Sequence, residues 1–116
     1  MNISDLLIYC MNKPGAEQSV HSDWKATQIK TDGVLFAMVH EVKGRPAVSL
    51  KSTPALAELL RDEHSDVFPS EHMNKSHWNT LFLDGSLKDS QIYYLVDASF
   101  QQADGTKAAS QGHGGN

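Results

Sequence analysis

Apolar side chains at the start of the chain recur at helical intervals. Ile3, Leu6, Leu7, Cys10 and Met11 fall at i, i+3, i+4, i+7 and i+8, a single stripe along an α-helix. Asn2 or Ser4 is a candidate cap at its start, and Pro14-Gly15 marks its end. The period then changes between residues 16 and 51. Trp24-Lys25-Ala26-Thr27-Gln28-Ile29-Lys30 alternates imperfectly, as a strand with one solvated face does. Asp32-Gly33 is a two-residue hairpin signal, and Val34-Leu35-Phe36-Ala37-Met38-Val39 returns as a more buried strand. Lys43-Gly44-Arg45-Pro46 makes a second turn, and Ala47-Val48-Ser49-Leu50-Lys51 a third strand.

Thr53-Pro54 opens the next helix, with threonine as cap and proline at the first helical position. Its stripe is Leu56, Leu59 and Leu60, fading near His64, after which residues 65–76 are polar and irregular. Trp78-Asn79-Thr80-Leu81-Phe82-Leu83 reads as a strand closed by Asp84-Gly85. Ser86-Leu87-Lys88-Asp89 resembles a capping box that starts a last helix, with Ile92, Leu95, Val96, Ser99 and Phe100 on one face. After Gln102 the pattern stops, and residues 104–116, rich in Gly, Ser and Ala, are expected to form a flexible tail. The order predicts an α+β domain over residues 1–103, a two-layer structure with an antiparallel β-sheet and helices packed on one face.

A length of 116 residues fits one such domain, and 40% apolar with 21% charged residues is ordinary for a globular chain. The formal net charge of -4 argues against a whole-molecule attraction to nucleic acid or anionic membrane. Its distribution changes that picture. Residues 24–51 hold five basic side chains (Lys25, Lys30, Lys43, Arg45, Lys51) against Asp32 and Glu41, whereas residues 58–71 hold Arg61 against five carboxylates. The predicted sheet is therefore basic, and the middle helix with its following loop acidic. Cys10 is the single cysteine, which excludes an intrachain disulfide and a cysteine-rich zinc site. A start without a basic, apolar leader pattern and the absence of a long apolar run make the cytoplasm the expected location, with no membrane partner.

The densest chemistry lies in His72-Met73-Asn74-Lys75-Ser76-His77-Trp78-Asn79-Thr80. Imidazoles, an amine and carboxamides can donate to phosphate, and an indole offers a flat ring on which a base can stack. His72 and His77, five residues apart with no nearby cysteine, are weak candidates for metal ligands, and no metal or other cofactor is expected. No serine sits in a G-x-S-x-G elbow, and Gly112, Gly114 and Gly115 have no strand before them to form a phosphate loop. No catalytic residue is assigned.

The same stretch, continued by Leu83-Asp84-Gly85-Ser86, resembles the signature of the MmcQ/YjbR family. Ser4-Asp5-Leu6-Leu7, Lys13-Pro14-Gly15-Ala16, Trp24-Lys25, Leu35-Phe36-Ala37 and Val48-Ser49-Leu50-Lys51 extend the likeness over residues 1–102. The resemblance implies a fold similar to the CyaY/frataxin-like and secretion-chaperone-like architectures, a bacterial source, no enzymatic activity, and a "double wing" DNA-binding motif. The first expectation for function is thus weak DNA binding through Trp24, Lys25, Lys30, Lys43, Arg45, Lys51, His72, Asn74, Lys75, His77 and Trp78. The alternative is a protein–protein interaction module, since related folds bind extended polypeptides. Frataxin-type iron binding needs a carboxylate-rich first helix, and here that helix carries only Asp5 before Glu17.

Overall fold

The computed structural model of the protein describes residues 1–23 and 25–105 in full and residues 106–115 as backbone. Helix α1 (Ile3–Met11) is followed by strands β1 (Ala16–His21), β2 (Ala26–Thr31), β3 (Val34–Val42) and β4 (Arg45–Lys51). Helix α2 (Pro54–Glu63), strands β5 (Phe68–Pro69) and β6 (Trp78–Phe82), and helix α3 (Asp89–Gly115) complete the chain. All strands join one six-stranded antiparallel sheet in the order β1-β2-β3-β4-β6-β5. The α+β reading holds.

Local signals account for most element ends. The Asn2 side chain accepts from the Asp5 amide at 2.8 Å, and the Thr53 hydroxyl accepts from the Leu56 amide at 3.3 Å, so both helices are capped as expected. The hairpin turns at Asp32-Gly33 and Lys43-Gly44 have positive φ at both residues (48° and 89°, 54° and 76°), the left-handed pair that a two-residue I′ hairpin requires.

Alternation along β3, β4 and β6 divides the sheet into two faces. Val39, Val48 and Leu81 point to one and form the core with Leu6 and Cys10 of α1 and Ile92 and Val96 of α3. Met38, Ser49 and Thr80 point to the other, which no helix among the described residues covers. At the end of the covered face, Tyr9 of α1 and Lys13 just after it both reach Asp97 of α3, at 2.8 Å and 2.5 Å, and the Tyr9 and Tyr93 ring centroids lie 4.2 Å apart.

Four expectations need correction. Strand β1 has no apolar alternation to announce it, and Lys25 belongs to the turn before β2, not to the strand. Residues 65–76 are not wholly irregular, because Phe68 and Pro69 pair with Thr80 and Asn79. The capping box at Ser86 does not form: Ser86 is bound by Asp66, and α3 opens at Asp89, where the Gln91 side chain reaches back to the Lys88 amide at 2.8 Å. Helix α3 also runs past Gln102, since Ala103 is 1% exposed and packs in the core. Most of the segment expected to be a flexible tail lies outside the residues described in full.

Candidate functional site

The cations singled out from the sequence fall at two ends of the sheet. Lys25 in the β1–β2 turn, Lys43 in the β3–β4 turn and Arg45 at the start of β4 stand at one end. Lys51 at the far end of β4, its cross-strand neighbour Trp78, and His77 stand at the other, with Lys30 in the half of β2 nearest it. Six residues of extended chain separate Arg45 from Lys51, about 20 Å. Strand geometry therefore splits the basic stretch instead of gathering it.

Several of those groups already have partners. The Arg45 guanidinium donates to Asp84 Oδ1 through Nε (3.1 Å) and Nη2 (2.8 Å) and stacks 3.8 Å over the Phe82 ring. The same contact holds the Asp84 carboxyl below its usual range. Lys30 lies across from Glu17, and Lys75 Nζ donates to the Glu71 carbonyl at 3.1 Å. Asn74 folds its own loop: its side chain accepts from the Ser76 amide, and its carbonyl accepts from the amides of His77 and Trp78. The His77 ring meets the Ser52 carbonyl at 3.1 Å. Trp78 is 8% exposed, so its ring has no face free for a base, and its expected stacking role is withdrawn. Trp24 lies outside the described residues.

His72 goes elsewhere. It is exposed beside a cavity of about 460 Å³ on the helix-free face, where Met38, Phe68 and Val42 supply apolar wall and Asp23 and Glu71 carboxylates. Its floor is a run of hydroxyls. His40 Nε2 lies 3.0 Å from Ser49 Oγ, which lies 2.8 Å from Thr80 Oγ1, which lies 3.0 Å from Ser70 Oγ. Ser49, Thr80 and Ser70 are all buried. Burial first, and the charge of His72 second, pull the His40 pKa below its ordinary value. This group escapes sequence reading because its members are far apart in the chain, and only the pairing of β3, β4, β5 and β6 assembles them.

One other cluster has the residue types of a hydrolase. His64 Nδ1 approaches Ser86 Oγ at 2.9 Å, and Ser86 Oγ donates to Asp66 Oδ1 at 2.6 Å. The order is wrong for activating a nucleophile, because the serine proton goes to the carboxylate and the imidazole is not oriented by it. The contact instead pins the loop after α2 to the start of α3, and the Ser86 bonds hold the Asp66 carboxyl below its usual range. Among the described residues, no group of three or more His, Cys, Asp or Glu side chains is placed to hold a metal ion, and no helix is long and apolar enough to cross a membrane.

A family model described as YjbR matches residues 11–102. The chain is 76% identical over 103 residues to the "Uncharacterized protein YjbR" of Escherichia coli (strain K12), spanning 89% of this chain and 87% of that one. It is 28% identical over 71 residues to "Uncharacterized protein YbdF" of Escherichia coli O157:H7, spanning 61% of this chain and 58% of that one. Among solved structures, a protein from Pseudomonas syringae superposes with a TM-score of 0.76 at 24% identity, covering 89% of this chain and 99% of that one. Protein DR2400 of Deinococcus radiodurans, described by its domain DUF419, superposes with a TM-score of 0.76 at 26% identity, covering 85% and 75%.

Proposed function

This chain belongs to the YjbR family, and on that premise we propose that it is a non-catalytic binding domain which takes an extended segment of a partner protein along the free edge of its sheet. Strand β1 is the observation that carries this reading. It ends the strand order, pairs among the described residues only with β2, and keeps an unbroken register over its six residues. Four of those six are exposed, with Val20 at 75%. An edge strand presents backbone N–H and C=O groups that an added strand satisfies, while alternate side chains fix its register. Natural edges are usually blunted by lysine, proline, a bulge or shortness, and β1 has neither lysine nor proline, nor a bulge.

The test is a pulldown from nuclease-treated extract with the full chain and its Val20→Lys variant. A stoichiometric protein captured by the first and lost by the second supports strand addition. Capture that Val20→Lys leaves unchanged rejects it.

A second reading, DNA binding, rests on a different observation. The two hairpin turns at the same end of the sheet border one hollow with Lys25 and Gly44 on its rim, and Lys25 and Lys43 are exposed. Two neighbouring tips of this kind suit a double-wing contact with phosphates. Neutralising two phosphates gives log K a slope of about -1.8 against log salt, and no duplex binding at about 100 µM protein in low salt rejects this reading.

A further inference from the structure

The cavity on the helix-free face takes no part in either reading above. We propose that it binds a small organic cation, an ammonium group carried on a short apolar body. A volume of about 460 Å³ lies within the usual range of small-molecule sites, about 300–1,000 Å³. Its lining divides into the two chemistries that such a ligand needs.

Carboxylates dominate the charged part, with the His72 imidazole on the same lining. Asp23 comes from the β1–β2 turn and Glu71 from the loop after β5, so two segments remote in sequence bring carboxylates to one hollow. Among the described residues neither lysine nor arginine lines it. Glu41 lies along the lining as well, on a strand position whose side chain alternates toward the helix-covered face. His40 is held toward its neutral form, so near neutral pH it does not offset the carboxylates. An anionic ligand would meet like charge, which disfavours it.

The remaining wall is apolar and aromatic. Met38 and Phe68 meet a carbon body, and a ring face within about 6 Å of an ammonium adds cation–π attraction. The buried hydroxyl run beneath them, Ser49–Thr80–Ser70, satisfies its own hydrogen bonds and ends on His40 Nε2. That fixes the imidazole orientation and makes the floor rigid. A bare metal ion is the poorer match, since the described residues bring no three ligating side chains together.

The test is a heteronuclear NMR titration of the full chain with phenethylammonium, with its neutral alcohol analogue and inorganic phosphate as comparisons. Phenethylammonium is expected to shift the signals of the Met38 methyl, His40 and Phe68, and the neutral analogue to bind more weakly. Glu71→Gln and Asp23→Asn, both at exposed positions, should each weaken amine binding about fivefold while leaving the spectrum dispersed. The proposal is overturned by no shift at about 10 mM amine, by phosphate moving the same signals, or by affinity unchanged in both variants. Failure of Val20→Lys to alter partner capture leaves this result untouched, so the two readings fall separately.

Discussion

Ser99 on α3 donates its hydroxyl to the carbonyl oxygen of Phe36 on β3 at 2.5 Å. The Ser99 hydroxyl oxygen in turn accepts from the Lys51 amide at 2.9 Å. Extending the β3–β4 register one step beyond Ala37↔Leu50 would set Phe36 opposite Lys51. Phe36 is also the residue omitted where β2 shifts from Ile29↔Ala37 to Lys30↔Leu35. A helix side chain thus takes the place of a ladder hydrogen bond at the bulge, which explains a serine on the apolar stripe of α3.

Ser99→Ala should destabilise the domain by about 2–4 kcal/mol, because it strands a carbonyl and an amide at a 0% exposed position. Urea unfolding reads this as a lower midpoint with an unchanged slope. A loss below about 0.5 kcal/mol would mean that the two backbone groups re-pair without the hydroxyl.

The parts of this fold legible in the chain are those decided locally. Asn2, Thr53-Pro54 and Asp32-Gly33 each act within a few residues, and the structure uses all of them as read. Strand β1 was not legible because an edge exposed on both faces imposes no alternation on Ala16–His21. Ser86 has the residue type of a helix cap, but Asp66, twenty residues away, claims it. The cations were legible as composition and not as position, since Arg45 and Lys51 sit at opposite ends of one strand. The His40 cavity depends wholly on strand pairing. Its one local trace is that Met38 and His40 share a face in the alternation of β3.

His40 makes stability depend on pH. Its folded-state pKa is lowered from 6.5 by burial and by the charge of His72, so the unfolded chain binds the proton more readily. Its contribution is therefore complete above pH ~6.5 and is lost as pH falls toward the folded-state value, with a slope of at most about 1.4 kcal/mol per pH unit. His40→Gln should flatten the urea midpoint between pH ~7.5 and ~5.5 relative to the parent chain. Equal slopes in both proteins would remove His40 as the cause.

Cys10 should be inert while the domain is folded. Burial pushes its thiol up to about 12, and the residue is 0% exposed against α3 and the sheet. Only the thiolate attacks disulfide reagents. Reaction with an aromatic disulfide at pH ~8 is expected to follow global unfolding, and fast native-state labelling would contradict the buried position.

Two glycines should respond to alanine with opposite signs. A Cβ at Gly85 would collide with Asp66 Oδ2, the atom that accepts from the Ser86 amide at 2.7 Å. Gly85→Ala is expected to cost about 1–3 kcal/mol. Gly105 lies within α3 with open space around the added methyl, so Gly105→Ala should stabilise by about 0.5–1 kcal/mol through helix propensity. Thermal unfolding of both variants checks the pair.

Trp78 separates a structural indole from a base-stacking one. It pairs across from Lys51, receives a backbone hydrogen bond from the Ser70 amide at 2.9 Å, and is 8% exposed. An indole sealed in this way emits at short wavelength and resists a polar quencher. In a Trp24→Phe background, where Trp78 is the remaining tryptophan, acrylamide should quench little and duplex DNA should leave the emission unchanged, even if lysines at the hairpin tips hold the phosphates. Trp78→Phe should then lower stability by about 1–3 kcal/mol through lost volume while leaving any salt-dependent DNA affinity intact. Strong quenching by added DNA would place the ring in contact with bases and restore the stacking role that its burial opposes.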